Sequence, residues 1–237
     1  MKYLKYLLLL TISIFLSSCS NEQNQNIELK GNAMGTFYFI KLIDVPKTIQ
    51  KEKIDLEINK TLLEINKIVS NWDSLSEISL INSNKTLLPI KVSNELLNVF
   101  KTANLINAKS NGFFDITLDP IIELWGFGYK EDEYKKEPPL KQDILEALSL
   151  VNQKQNLEIN HLNNELIKRK KDVLFNLSAI GKGYGIDLIG KKLKNLNINN
   201  FLINIGGDIL TKGYNSKKQD WVIGIENPNL QQQFIKE

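Results

Sequence analysis

From Met34 to Ile43 the chain alternates like a half-buried strand, with Thr36, Tyr38, Ile40 and Leu42 toward one side and Phe37, Phe39 and Ile43 toward the other. Pro46 ends that run and the period changes. Ile54, Ile58, Leu62, Ile65 and Val69 recur at spacings of four, four, three and four, the stripe of an amphipathic helix. Ser93 is placed to cap a second helix in which Leu96, Phe100 and Ala103 share a face, with Gly112 where it would stop. Asp119-Pro120 predicts a cap and a first-turn proline for a short helix through Leu124. Lys130 to Pro139 is charged and proline-bearing, a surface loop, and Leu140 to Val151 is helical. Leu157–Ile159 and Leu166–Lys168 are short strands about the turn-like Asn160–Asn164. Val173–Phe175 is predicted as a buried strand, Ser178 as the cap of a helix to about Leu193, and Phe201–Ile205 and Trp221–Ile225 as further strands. No internal repeat is present.

The first residues follow a different pattern. Lys2 and Lys5 precede the apolar run Leu7–Leu16, too short for a stable membrane span and suited to a cleavable signal peptide over 1–18. The run ends in Leu16-Ser17-Ser18-Cys19, which resembles a bacterial lipobox. Acyl chains on Cys19 would then hold an exported domain at a membrane surface. Ser20 to Asn26 is polar and rich in Asn and Gln. The expected organisation is a signal peptide (1–18), a lipidated N-terminus with a flexible tether (19–30) and a domain from 31 to 237.

Composition narrows the chemistry. Of 237 residues 42% are hydrophobic and 24% charged, enough for a real core and against wholesale disorder. Cys19 alone excludes an intrachain disulfide or cysteine-based cluster, and His161 alone excludes a multi-histidine metal site and argues against a Ser-His-Asp triad. His161 is assigned to a surface turn without a catalytic role. The net charge is +3, with Lys2 and Lys5 in the leader and Arg169 the sole arginine, so nucleic-acid binding has no electrostatic footprint.

Four segments carry candidate chemistry. Asn176 to Gly185 sets a strand end against a glycine-rich helix start with Lys182 in the first turn. Free N–H groups there suit a phosphate, although a helix packed through small residues explains the glycines equally well. The Walker spacing is absent. Gly112 to Pro120, continuing to Gly128, puts Asp115 behind Phe113 and Phe114, a pattern for a heteroaromatic ring or simply a turn with core aromatics. Asn204 to Asp208 is a strand ending in a glycine pair and an acid, with Asp208 a candidate for support near the site. Ala33-Met34-Gly35-Thr36 opens a strand with a methionine that could cap a ring or belong to the core.

Together with Trp72–Asn82 and Trp221–Pro228, these segments resemble the ApbE family, the FAD:protein FMN transferases, in order and spacing from Gly31 to Pro228. The resemblance implies an α+β fold related to T-folds, a mixed sheet with packed helices and FAD held in a cleft. It implies that FAD is cut at its pyrophosphate and FMN joined to a Thr or Ser of an acceptor flavoprotein, with AMP leaving. It implies a FAD site of Met34, Trp72, Phe113, Phe114, Asp115, Asn176 and Lys182, and an Mg²⁺ ligand in the backbone oxygen of Ala179. The implied partners are FAD, an acceptor flavoprotein of a membrane redox complex and, through the lipid, the membrane. The implied location is the bacterial cell envelope, facing the periplasm.

Two departures from the family pattern bear on activity. Asn176 stands where many members have Asp, and an amide brings no charge to the metal region. Nothing after Pro228 matches the family's following segment, which carries a His-containing motif and the remaining Mg²⁺ ligands. The domain is therefore expected to be C-terminally incomplete, with its catalytic groups unassigned. Hydrolysis of FAD to FMN and AMP, or FAD binding without turnover, are the alternative activities.

Overall fold

The computed structural model describes residues 24–128, 137–226 and 234–236. The expected signal peptide, Cys19, Pro228 and most of the Lys130–Pro139 loop lie outside them. Nine strands are described: β1 (Gln25–Ala33), β2 (Thr36–Val45), β3 (Ile90–Lys91), β4 (Leu157–Asn160), β5 (Glu165–Lys168), β6 (Asn200–Ile205), β7 (Asp208–Lys212), β8 (Gly224–Glu226) and β9 (Phe234–Lys236). The described helices are α1 (Lys51–Val69), α2 (Glu77–Ser83), α3 (Asn94–Lys109), α4 (Asp119–Leu124), α5 (Lys141–Leu148), α6 (Gln153–Asn156) and α7 (Ser178–Asn195).

The main sheet runs β1-β2-β6-β7, a smaller one β3-β5-β4, and β8 pairs with β9. The α+β class is as expected. The sheet foreseen as mixed is instead antiparallel in every pair among the described residues. β1 is a correction to the expected tether: it takes in Gln25–Ala33 and buries Ile27 and Leu29, so apolar alternation ties this stretch to the sheet.

The apolar stripe of α1 divides between two cores. Ile54, Ile58 and Leu62 pack on the main sheet with Ile40, Leu42, Ile186 and Ile189, whereas Ile65 and Val69 join Leu96, Phe100, Leu166 and Phe175. Phe100 and Phe175 meet edge to face, with centroids 5.1 Å apart. Met34 touches both cores at their seam. Ser93 caps α3 as expected, its hydroxyl accepting from Leu96 N.

Several local expectations are corrected. Asp119 is the first residue of α4, with Leu118 at the cap position, and its side chain is buried. Ser178 is likewise inside α7, and Asn176 Oδ1 accepts its N–H at 3.0 Å. Val173 and Phe175 are buried, but among the described residues the segment belongs to no ladder. The alternation in β2 breaks at Leu42 and Ile43, both buried, because a bulge against β1 and Asp44 at φ +57° reset the register. Helix α5 ends at Leu148 and β8 begins at Gly224, both shorter than the hydrophobic runs suggest. His161 lies exposed in the β4–β5 turn. Among the described residues no helix is long and apolar enough to cross a membrane.

Candidate functional site

A cavity of about 580 Å³ opens where the β1–β2 turn, the loop after α1 and the start of α7 converge; Met34, Asn66, Trp72, Asp73, Ser178 and Lys182 line it. Met34 and Gly35 form a two-residue hairpin turn at φ +53° and +73°. Asn or Gly is the usual occupant of the first of these positions, so a methionine there carries left-handed backbone cost. Its thioether lies over α7. A Cβ on Gly185 would meet Met34 Sδ at 3.4 Å, and one on Gly181 would meet Val69 Cγ2 at 3.1 Å. Those two glycines, one turn apart, therefore serve close packing. A Cβ on Gly183 would meet nothing within 4 Å among the described residues.

Of the residues expected at the site, Met34, Trp72 and Lys182 are brought together in this one cavity. Trp72 is 71% exposed at its rim. Lys182 pairs with Asp208 on the β6–β7 turn, Nζ to Oδ2 at 3.3 Å, which puts the acid from the glycine-pair motif beside the cation. Asn176 is buried behind the helix start, its Nδ2 donating to Asp119 Oδ1 at 2.8 Å. Ala179 is exposed in the first turn of α7.

The Phe113–Asp115 stretch is placed differently. Phe113 is exposed and Phe114 packs against the core. Asp115 accepts from the backbone and hydroxyl of Thr117 and, through Oδ2, from Gln153 N at 2.8 Å. It lines a second cavity of about 920 Å³ with Asn104, Asn107, Asn152 and Lys154. The stretch still adjoins the first cavity's wall, since Asn176 N donates to Ile116 O at 2.7 Å. The structure adds Asn66, Asn71 and Asp73 to the residues that the sequence brings forward. Asp73 falls inside the Trp72–Asn82 segment that carries the family resemblance, whereas the only sequence signal for Asn71 is that it flanks an aromatic just after an amphipathic helix.

An apolar floor, an exposed indole and a cation at the mouth suit a planar ring joined to phosphates. Mg²⁺ is served less well. Among the described residues no three His, Cys, Asp or Glu side chains gather as a metal site, and Ala179 offers one backbone oxygen where the ion takes about six ligands.

The ApbE family model matches residues 34–237. A FAD:protein FMN transferase of Vibrio cholerae is 32% identical over 236 residues, 98% of this chain and 68% of the relative. One from Haemophilus influenzae is 33% identical over 230 residues, 96% of this chain and 66% of the relative. The solved flavin transferase ApbE from Vibrio cholerae superposes with a TM-score of 0.83 at 31% identity, over 90% of this chain and 68% of that one. The apo flavinyl transferase ApbE of Pseudomonas stutzeri gives 0.79 at 26% identity, over 90% and 68%. The chain thus spans about two thirds of the length of these relatives. On this sequence match and this fold, the chain belongs to the ApbE family.

Proposed function

We propose that the protein is a FAD:protein FMN transferase. The observation that carries the reading is the meeting of Met34, Trp72 and Lys182, from three separate stretches of sequence, in one cavity. Trp72 and Met34 would bracket the flavin, and Lys182 would sit against the pyrophosphate, where it offsets negative charge that grows as the bond breaks. An acceptor Thr or Ser oxygen forms the new bond to the FMN phosphorus, the pyrophosphate bond breaks, AMP leaves and the hydroxyl proton passes to solvent. The acceptor brings the nucleophile, so the chain's residues bind, orient and neutralise.

Mg²⁺ is part of this proposal, with the Ala179 carbonyl as one ligand; when bound it supplies further charge neutralisation at the phosphates. The lipobox at Cys19 supports a lipid-anchored protein of the bacterial envelope facing the periplasm, and the acceptor would be a flavoprotein of a membrane redox complex. The test is incubation of the full chain with FAD, Mg²⁺ and an acceptor flavoprotein domain, read by mass spectrometry. Acceptor heavier by one FMN supports transfer. Free FMN without a modified acceptor replaces transfer by hydrolysis, and bound but intact FAD leaves only a flavin-binding protein.

A further inference from the structure

Segment 173–177 buries Val173, Phe175 and Leu177 completely, yet among the described residues no strand pairs with it. Backbone polar groups in such a place need partners, and two buried asparagines supply them. Asn82, on α2, donates from Nδ2 to Phe175 O at 2.8 Å and accepts from Phe175 N at 2.8 Å. That is the two-bond exchange of an antiparallel pair, made by one side chain. Asn71, in the loop after α1, donates to Phe175 O at 2.7 Å and accepts from Leu177 N at 2.9 Å. Bonding the groups on either side of residue 176 is the pattern of a parallel ladder.

The two amides grip the same segment but differ in what lies beside them. Asn71 is itself in the cavity wall, next to Trp72, while Leu177 and Ser178, at the other end of its bonds, form the facing wall that leads to Lys182. Asn82 is not among the cavity's lining residues. We infer that Asn71 is a positioning residue for the flavin substrate: its side-chain amide fixes the distance between the Trp72 wall and the helix start that carries Lys182. Its oxygen and one N–H are spent within the protein, so it acts through Trp72 and Lys182. The inference rests on the flavin-site reading above.

The experiment compares Asn71→Asp and Asn82→Asp in the full chain. Each keeps an acceptor, loses the donor to Phe175 O and sets a carboxylate against that carbonyl, so the damage to the fold is matched. FAD dissociation constants, steady-state KM and kcat, and thermal midpoints are measured for both and for the unaltered protein. Both midpoints should fall together. Only Asn71→Asp should raise the FAD dissociation constant and KM, by tenfold or more, with kcat within threefold. Asn71→Gln, which keeps donor and acceptor one methylene further out, guards against an unfolded variant and should raise KM severalfold while staying folded. Equal rises in the dissociation constant for both Asp variants, or an unchanged constant in Asn71→Asp or in folded Asn71→Gln, would overturn the inference and leave Asn71 a purely structural residue. Failure of the unaltered protein to bind FAD is a separate result, which removes the site and the inference with it.

Discussion

Asn176 Nδ2 donates to Asp119 Oδ1 across 2.8 Å, joining the turn before α7 to the first residue of α4 in a place where both side chains are buried. The same amide accepts Ser178 N through its oxygen at 3.0 Å. The side chain at position 176 thus donates and accepts at once. The amide therefore couples the helix start to a buried carboxylate without placing two negative charges together.

Asn176→Asp should make stability pH-dependent. Two carboxylates at that distance cannot both ionise in a buried place, so the pair's apparent pKa rises above the unfolded range near 4. Between those values the folded state holds more protons than the unfolded one, and stability falls as pH rises, by up to about 1.4 kcal/mol per pH unit. Urea unfolding at pH 4.5 and pH 7 should show the variant close to the unaltered protein at the lower pH and well below it at the higher. A constant difference at both would mean the second carboxyl has moved out to water.

Met34→Asn should separate stability from binding. Asn suits the left-handed turn position at φ +53° and relieves roughly 1 kcal/mol of backbone cost, which offsets the loss of thioether packing over Gly185. The thermal midpoint should stay within a few degrees while the FAD dissociation constant rises at least tenfold. A large drop in the midpoint with binding intact would make Met34 a core residue only.

Lys182 and Asp208 should behave as partners with opposite effects. Their pair is part-exposed, so its worth in stability is about 0–1 kcal/mol and neither substitution should unfold the protein. Lys182→Ala removes the phosphate's cation and should weaken FAD binding about tenfold, with a shallower salt dependence. Asp208→Asn removes the carboxylate that competes for that cation and should tighten FAD binding two- to threefold. A weaker complex in Asp208→Asn would mean that the acid orients Lys182.

The long periodic elements are legible in the sequence because burial on one face is what their spacing encodes. The α1 stripe, the Ser93 cap and the β4–β5 hairpin stand where the pattern puts them. Val173–Phe175 looks like a strand in sequence because its inward residues alternate, whereas the partners of Phe175 are the side chains of Asn71 and Asn82, about a hundred residues away. Ser178 and Asp119 look like caps because both are good capping residue types; a tertiary bond from Asn176 engages Asp119, and a local one, from Ser178 N to Asn176 Oδ1 two residues back, holds the start of α7. Strand β1 is hidden by its polar start, and β7 by the glycine pair at φ +55° and +94° that turns the chain back on itself. At the site, Lys182 and Met34 are visible from their glycine neighbours. Asn71 is not, because an asparagine that replaces a strand has no local signature.

Lys168 gives a last test, on the support behind the site. Its side chain is fully buried, and its ammonium donates to Ile81 O at 3.3 Å, to Lys171 O at 3.3 Å and to Asn84 O, tying down the end of α2 just where Asn82 grips Phe175. Burial, with nearby Lys85 adding to it and Asp172 opposing, pushes its pKa down to about 8. Between about 8 and the ordinary lysine value near 10.4, the unfolded chain holds a proton that the folded one has released, so stability must rise with pH. The gain is bounded at about 3 kcal/mol, at roughly 1.4 kcal/mol per pH unit. The other titrating groups are common to both proteins and drop out when the protein is compared with Lys168→Met. The difference in unfolding free energy between the two, measured in urea from pH 7.5 to 10, should move in favour of the lysine as pH rises. A flat difference would mean that the three carbonyls solvate the ammonium well enough to hold its ordinary pKa, and that burial costs it nothing.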